Sequence, residues 1–314
     1  MQHNKAVFPG QVAIRKCRSP SDGWGLLFAN LLSTAKTGCM KLNHIRYGTG
    51  KPLLLIHGLG GSWRSWYPVL KYLAPHREVI AIDLPGHGKT PPLEDPTTVA
   101  TLADALTTFL HNHGLTGVDA VGSSMGARLV LEMARRGSVL GAVVSLDPGG
   151  FWEGWQRRAF YYSIAASIRL VRAIKPLIPF VAGNAVSRTL LLPQFSSRPW
   201  RLPAHLVRTE LEAYVASPVF DELLYNLAFG EEQEGAPRHS LSRPLVIGWG
   251  RQDRICFPGQ SKKALRLFPD AHIYWFDRCG HFPHWDKPAE TAALILRVTN
   301  TPTVATTAAT AKSR

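Results

Sequence analysis

The 314-residue sequence predicts an α/β fold, with a mainly parallel sheet that carries helices on both faces. Short apolar runs typical of buried strands alternate with segments whose apolar residues recur at helical spacing. A Gly-Ser-Ser-Met-Gly stretch joins one of these strands to the helix that follows it. Apolar residues make up 45% of the chain and charged residues only 18%, which allows a substantial core and argues against disorder.

Six strands are expected, and most of them are followed by a helix. The strands are 53–56, 79–82, 118–121, 142–146, 245–249 and 273–276. The helices are 65–73, 97–111, the segment after the central serine to 136, 260–267 and 289–298. Because sites in such sheets form at the carboxyl ends of the strands, we expect functional residues in the loops that follow them.

Residues 151–238 interrupt this alternation. The segment is rich in tryptophan, tyrosine, phenylalanine and arginine and has a mostly helical pattern. We interpret it as an insertion that lies over the sheet. The predicted organisation is an N-terminal extension (1–39), a first core part (40–150), the helical insertion (151–238), a second core part (239–300) and a flexible Thr/Ala-rich tail (301–314).

Two adjacent serines, Ser123 and Ser124, compete for the role of a nucleophile. Only Ser124 is the centre of a G-x-S-x-G pattern, since a frame on Ser123 would need glycine at Val121 and Met125. A serine between a strand and a helix makes a sharp, strained turn, and side chains two residues away would collide. The pattern favours Ser124 as a nucleophile, with a Gly/Ser loop that has no chemistry as the alternative.

The stretch "DLPGHGKT" (83–90) ends like a phosphate-binding loop. The full pattern requires glycine where Asp83 stands, and the loop continues into Pro91-Pro92 instead of a helix. Without a helix N-terminus to hold phosphates, the sequence argues against nucleotide binding.

A serine hydroxyl needs a base within hydrogen-bond reach and a third group that orients the base. His281 follows the strand 273–276 and is the expected base, with His284 as its competitor in the same segment. Asp253 follows the strand 245–249 and is the expected acid, whereas Asp147, also after a strand, is the alternative acid. The order Ser, Asp, His matches that of α/β-hydrolases.

An acyl-transfer site also needs donors for the developing oxyanion. The backbone amide of Met125 lies at the start of the helix after the serine, where the helix dipole assists. The loop "LLLIHGLGGSW" (53–63) supplies a second candidate, the amide of Leu59. His57 in this loop is expected to shape the loop and not to act as a base.

Four motifs in order carry a resemblance to the α/β-hydrolase superfamily over about residues 40–300. They are His57-Gly58, "DLPGHG" (83–88), "GSSMG" (122–126) and the Asp253/His281 pair, the latter within "GHFPHWDKP". The resemblance implies an eight-stranded, mostly parallel sheet, and it identifies 151–238 with the helical cap that covers the site in many members.

A serine nucleophile argues against the family's haloalkane dehalogenases and epoxide hydrolases, which use aspartate. Carboxylesterases, lipases, lactonases, perhydrolases and C–C bond hydrolases of ring-fission diketones remain. The C–C hydrolases usually carry a G-G-x-G-P-type loop, and "GLGGSW" lacks its proline. We expect carboxylic ester hydrolysis through an acyl-enzyme, which needs no metal and no cofactor. The alternative from another class is a non-catalytic binding protein of the same fold.

The expected substrate is a small apolar ester. Aromatic residues near the site are candidates to line it, namely Trp63, Trp66, Trp152 and Trp155. The alternative is that they only pack the insertion onto the sheet.

The cysteines Cys17, Cys39, Cys256 and Cys279 show no C-x-x-C spacing, so neither a zinc site nor a disulfide framework is expected. We expect free thiols, with a Cys256–Cys279 bridge as an open alternative. No apolar run is long enough to span a membrane, and the apolar patch at 23–35 begins too late for a signal peptide. We therefore expect a cytoplasmic protein.

The net charge of +14 is unevenly distributed, and no nucleic-acid-binding signature accompanies it. Residues 151–209 carry nine Arg/Lys and one acid, whereas 210–234 carry seven acids and no Arg/Lys. Such blocks are solvated helix faces or pair with each other. A helical arc of five basic residues raises the alternative of contact with an anionic membrane surface; they are Arg157, Arg158, Arg169, Arg172 and Lys175.

Overall fold

The computed structural model describes residues 41–137 and 139–300. The predicted N-terminal extension (1–39) and tail (301–314) lie outside these residues, as do Cys17 and Cys39. The described residues form one sheet of seven strands. In chain order they are β1 (His44–Tyr47), β2 (Pro52–Ile56), β3 (Glu78–Ile82), β4 (Val118–Ser123), β5 (Leu140–Leu146), β6 (Leu245–Gly250) and β7 (His272–Phe276).

The strand order across the sheet is β1-β3-β2-β4-β5-β6-β7. β1 pairs antiparallel with β3, and every other neighbouring pair is parallel. The order reverses at β2, so that β2 and β4 lie at the centre with their carboxyl ends side by side. This is the point at which sites form in open α/β sheets.

Helices of the core follow the strands, with α1 (Tyr67–Leu73) after β2, α2 (Val99–Asn112) after β3, and α3 (Met125–Arg136) after β4. The insertion between β5 and β6 contains α4 (Trp155–Ala173), α5 (Ile178–Gly183), α6 (Ala185–Leu191), α7 (Ala204–Ala216) and α8 (Phe220–Phe229). The chain ends with α9 (Ser261–Leu267), α10 (Pro283–Asp286) and α11 (Pro288–Thr299). Short 3-10 helices occupy Trp63–Trp66, Lys175–Leu177, Pro199–Arg201 and Pro258–Gln260.

Alternation along the central strands divides the apolar core between the two faces of the sheet. In β2, Leu53 and Leu55 pack with α1 and α11 on one face, whereas Leu54 and Ile56 pack with α2 and α3 on the other. Burial on both faces is the reason that these strands are continuous apolar runs in the sequence. Their rigidity holds the loops at their carboxyl ends in place.

The α/β-hydrolase fold is confirmed, but the expected eight strands are seven in the described residues. Sequence patterns located six of them to within two residues at either end. The missed strand, β1, is a short antiparallel edge strand that is partly exposed along its length, and its sequence HIRY contains no apolar run. Its backbone pairs with β3, and the Arg46 guanidinium adds a two-point ion pair with Glu78 of that strand at 2.8 Å.

Residues 151–238, here called the cap segment, form helices α4 to α8 and add no strand to the sheet. The Cys256–Cys279 bridge, left open from the sequence, is absent, because both thiols are free and buried. None of the helices in the described ranges combines the length and the apolar character that crossing a bilayer requires.

Candidate active site

Ser124 lies in the turn between β4 and α3 with φ 56° and ψ −113°. This left-handed conformation is strained for a side-chain-bearing residue. A Cβ on Gly122 would lie 2.0 Å from the carbonyl oxygen of Gly126, and one on Gly126 would lie 2.3 Å from that of Ile56. Both glycines of the G-x-S-x-G pattern are therefore required by close backbone contacts. The turn raises the Ser124 hydroxyl above the end of β4.

Three distant residues meet at this hydroxyl. His281, in the loop after β7, places Nε2 2.8 Å from Ser124 Oγ. Its Nδ1 lies 2.9 Å from Asp253 Oδ2. The other oxygen of Asp253 accepts the backbone N–H groups of Ile255 and Cys256 at 2.8 and 3.0 Å. A carboxylate fixed in this way orients the imidazole, so that its second nitrogen faces the serine.

The alternative acid, Asp147, lies behind Asp253 and makes no hydrogen bond to His281. Its Oδ1 accepts the N–H of Gly250 at 2.8 Å. Burial, together with the neighbouring Asp253 carboxylate, raises the pKa of Asp147 well above its usual range. Both effects favour the neutral form of the Asp147 carboxyl.

The two predicted oxyanion donors border the same space as Ser124. Leu59 and Met125 both line the cavity above the serine. Among the described residues, no protein acceptor takes the amide hydrogen of either. Met125 is the first residue of α3, where unpaired N–H groups and the helix dipole favour negative charge. The arrangement fits an oxygen that gains charge.

Two buried histidines hold the loop that contains Leu59. His57 Nδ1 lies 2.7 Å from the Gly58 carbonyl oxygen, and its Nε2 accepts the Leu84 N–H at 3.0 Å. His87 Nε2 accepts the Gly60 N–H at 3.1 Å. Burial lowers the pKa of His87 to about 3, which keeps it neutral and able to accept. His57 thus has the loop-shaping position expected from the sequence, whereas the role of His87 was missed.

Asp83 completes this support. Its Oδ1 accepts the N–H of Trp63 at 2.8 Å, and its Oδ2 accepts the Lys89 N–H at 3.0 Å. The "DLPGHG" motif therefore braces the loop after β2. The sequence does show an acid and a histidine in a Gly/Pro turn after a strand. Their contacts with the Leu59 loop could not be predicted from it, because these contacts depend on the pairing of β2 with β3.

His284, the competing base, faces away from Ser124. It is fully buried, and its ring lies 4.5 Å from that of Trp66. Burial, with a smaller effect of His281, lowers the pKa of His284 to about 3. Among the described residues, the imidazole bonded to the serine hydroxyl is that of His281 and not that of His284.

A second carboxyl group comes from the cap segment and was not predicted. Glu210, on α7, is buried and accepts a 2.7 Å hydrogen bond from Ser65 Oγ. Ser65 Oγ in turn accepts the backbone N–H of Ser62, the N-cap residue of the 3-10 helix that follows the Leu59 loop. Burial raises the pKa of Glu210 to about 8, against the opposing effect of the Ser65 hydroxyl. No sequence motif marks it, since the contact spans 145 positions.

A cavity of about 750 Å³ lies between the sheet and the cap segment and opens onto Ser124 and His281. Apolar side chains from α4, α6 to α8 and the strand-end loops form most of its wall. Among the lining residues in the described chain there is no lysine, arginine, aspartate or glutamate. The cavity wall includes Phe160, Ile164, Ile168, Val171, Leu192 and Phe195.

Of the four tryptophans predicted to line the site, only Trp152 does so. It stacks on Phe160 at 4.0 Å and donates to the Ile255 carbonyl. Trp66 is fully buried beneath the loop, and Trp63 packs against Tyr67. Trp155 is 69% exposed at the start of α4. Those three fall outside the cavity because of helix rotation, which the sequence pattern had not resolved.

One group of side chains in the described residues has metal-ligand chemistry, namely Asp253, Cys256 and His281. The hydrogen bonds already described use the Asp253 and His281 atoms that face each other. Burial raises the pKa of the Cys256 thiol well above its usual range, so that it stays protonated. This group is better suited to proton transfer than to metal binding.

The chain is similar to known proteins of the alpha/beta hydrolase family. The model of the alpha/beta hydrolase family matches residues 53–294. The pimeloyl-[acyl-carrier protein] methyl ester esterase of Legionella pneumophila is 33% identical over 254 residues, covering 78% of this chain and 93% of that enzyme. The dihydrolipoyllysine-residue acetyltransferase component of the acetoin cleaving system of Cupriavidus necator is 28% identical over 82% of this chain. This chain spans only 66% of the length of that second relative.

Among solved structures, a meta-cleavage product hydrolase from Pseudomonas fluorescens superposes with a TM-score of 0.63 at 20% identity. The match covers 82% of this chain and 94% of that one. At this identity the likeness extends to the fold alone.

Proposed function

Since the chain belongs to the alpha/beta hydrolase family, we propose that it is a serine hydrolase that cleaves carboxylic esters with an apolar acyl or alkyl group. The observation that carries the proposal is the chain of contacts Ser124–His281–Asp253, at 2.8 and 2.9 Å, on the floor of an apolar cavity. Hydrolysis as such is the chemistry of the family, and the bond and substrate class are our proposal.

The proposed reaction has two steps. His281 Nε2 takes the proton of Ser124 Oγ as the oxygen attacks the ester carbonyl, while the amides of Leu59 and Met125 stabilise the oxyanion. The imidazolium then gives the proton to the leaving alkoxide, and the alcohol departs from an acyl-enzyme. His281 next removes a proton from water, which attacks the acyl group, and the proton returns to Ser124 as the acid leaves. Asp253 remains ionised and stabilises the imidazolium.

The wall of the cavity favours an ester over a ring-fission diketone. A ring-fission product carries a carboxylate, and burial of an unpaired carboxylate costs several kcal/mol. The lining residues include no arginine and no lysine to pair with it. A neutral ester leaves its apolar groups against the cap helices and its carbonyl at the oxyanion donors, with no charge to compensate.

Labelling by a fluorophosphonate tests the nucleophile. We expect the wild-type serine to react and the Ser124→Ala variant to remain unlabelled. Ser123→Ala is the matched control, because its side chain is buried in β4 and outside the cavity. Labelling of the Ser124→Ala variant at the wild-type rate would contradict the assignment.

Turnover of two kinds of substrate distinguishes cleavage of an ester bond from cleavage of a C–C bond. We expect hydrolysis of p-nitrophenyl butyrate and octanoate and no cleavage of 2-hydroxy-6-oxo-6-phenylhexa-2,4-dienoate under the same conditions. Faster turnover of the dienoate would replace the ester proposal by C–C bond hydrolysis, and a labelled serine with neither activity would leave a binding protein of the same fold.

A further inference from the structure

The outer face of the cap segment has a composition unlike that of the rest of the surface. Between residues 154 and 209 the sequence contains nine Arg/Lys and no Asp or Glu. This is the longest stretch of the insertion without an acidic residue, although Arg188 is buried and three other arginines pair with carboxylates outside the stretch. The inner side of the cap segment lines the cavity, and its outer side is exposed to solvent.

Helix α4 separates these two sides. Phe160, Ile164 and Ile168 point into the cavity. About half a turn away, a stripe within roughly 60° of arc carries Trp155, Arg158, Tyr162 and Arg169. Trp155 is 69% and Tyr162 66% exposed, and both arginines are exposed. Aromatic and long basic side chains thus alternate on one solvent-facing stripe.

The exposed apolar surface continues beyond α4. The 3-10 helices Lys175–Leu177 and Pro199–Arg201 and the short helices α5 and α6 between them present five large apolar side chains that are about half exposed or more. These are Leu177, Phe180, Val186, Leu190 and Trp200, with exposures of 55, 68, 68, 77 and 49%. Isolated exposed apolar residues are ordinary, but a cluster of this kind over 24 consecutive positions, from Leu177 to Trp200, marks an interaction surface.

The basic arc predicted from the sequence divides between two environments. Arg157 pairs with Glu232, and Arg172 pairs with Asp221, so these two tie α4 to the acidic block after residue 210. In the described part of the chain, no carboxylate pairs with Arg158, Arg169 or Lys175. The unpaired cations lie beside the exposed aromatic residues.

We propose that the outer face of residues 155–201 docks onto an anionic lipid bilayer and that the ester reaches the cavity from that bilayer. Tryptophan, tyrosine and snorkelling arginine side chains are stabilised at the headgroup level, and exposed phenylalanine and leucine enter the acyl region. A bilayer accepts such dispersed side chains without the matched pockets that an acidic protein would have to provide. Only the delivery of the ester rests on the proposed function; the docking does not.

Co-sedimentation of the full chain with vesicles tests the docking. We expect binding to phosphatidylcholine vesicles that contain phosphatidylglycerol, weak binding to phosphatidylcholine alone, and loss of binding as salt is raised. Replacement of two basic residues, Arg158→Gln/Arg169→Gln, should weaken the partition coefficient by roughly 20-fold, since each cation at such a surface contributes a factor of about five. Phe180→Ser/Leu190→Ser should weaken it by at least about ten-fold.

A matched control removes the same charge from exposed lysines of α1 and α9. Lys71→Gln/Lys262→Gln should retain wild-type vesicle binding. If both charge variants lost binding equally, net charge and not this surface would be responsible, and the proposal would be wrong. Binding of soluble polyglutamate through Arg158 and Arg169 without any binding to vesicles would identify an acidic-protein surface and would also overturn it.

Measurement of hydrolysis beside vesicle binding distinguishes a failure of the docking proposal from a failure of the proposed function. All the docking variants should hydrolyse p-nitrophenyl butyrate in solution at the wild-type rate, because none of their residues lines the cavity. Ser124→Ala should bind vesicles normally and hydrolyse nothing. Hydrolysis without vesicle binding refutes the docking alone, and vesicle binding without hydrolysis refutes the proposed function alone.

Discussion

The Ser65 hydroxyl donates a 2.7 Å hydrogen bond to the buried carboxyl of Glu210, and this contact joins the loop after β2 to helix α7 of the cap segment. The same hydroxyl accepts the N–H of Ser62, the N-cap residue of the 3-10 helix that follows Leu59, one of the proposed oxyanion donors. The cap segment therefore contacts the loop that carries a proposed oxyanion donor, and it does so through a titratable group, the Glu210 carboxyl. Tyr214, also on α7, lies close enough that Glu210 contributes to raising its pKa.

Glu210 makes stability depend on pH in a defined direction. In the unfolded chain the carboxyl ionises near 4.5, whereas in the fold it keeps its proton up to about pH 8. Between these values unfolding releases a proton, so the free energy of unfolding falls as pH rises, by about 1 kcal/mol per pH unit, and levels off above about pH 8. Denaturant titrations of Glu210→Gln should lack this component of the slope.

Glu212→Gln is the control for this measurement, because Glu212 lies on the same helix but is exposed and paired with Arg208. It should retain the wild-type slope. A Glu210→Gln variant with the wild-type slope would mean that the carboxyl is ionised in the fold.

The two buried aspartates should respond differently to amide substitution. Asp253→Asn removes the acceptor of the His281 Nδ1 hydrogen, and kcat/KM for p-nitrophenyl butyrate should fall by about 10³–10⁴-fold. In Asp147→Asn, the amide resembles the neutral carboxyl that burial favours and can still accept the Gly250 N–H, so a fall of about ten-fold at most is expected. Equal losses in the two variants would contradict a neutral Asp147.

The turn at Ser124 makes glycine necessary at Gly122 for steric reasons. A Cβ there would overlap the Gly126 carbonyl, and Gly122→Ala should lower the free energy of unfolding by about 3 kcal/mol, measured by urea denaturation. At Gly183, the last residue of α5, an added Cβ meets nothing within 4 Å. Gly183→Ala should therefore leave stability unchanged or raise it by up to about 1 kcal/mol.

The cavity predicts how acyl chain length affects turnover. Ile164→Phe adds volume to the wall, and kcat/KM for p-nitrophenyl octanoate should fall by at least about ten-fold, because several methylenes worth about 0.8 kcal/mol each lose their buried position. Hydrolysis of the acetate should change by no more than about two-fold. Leu170→Phe, on the exposed side of α4, should alter neither rate.

Should the Ile164→Phe variant instead lose activity on the acetate and the octanoate in parallel, the substitution would have disturbed Ser124 or His281. The acyl group would then bind elsewhere than against α4.

By itself, the sequence determined the parallel sheet, the turn at Ser124 and the positions of His281 and Asp253. These features depend on local rules: apolar periodicity marks buried strands, close backbone contacts require glycine, and polar residues after strands reach one edge of the sheet. Gly122 is the clearest case, since the overlap that requires it is with the carbonyl of Gly126, four residues further along the chain.

Only the tertiary structure decided which of the candidates meet. It put Asp253 and not Asp147 against His281, turned His284 and Trp66 away, and brought Glu210 to Ser65. It also divided the arginines of α4 between ion pairs and the open surface. These outcomes depend on strand register, helix rotation and contacts between residues up to 157 positions apart, and no local pattern fixes such quantities.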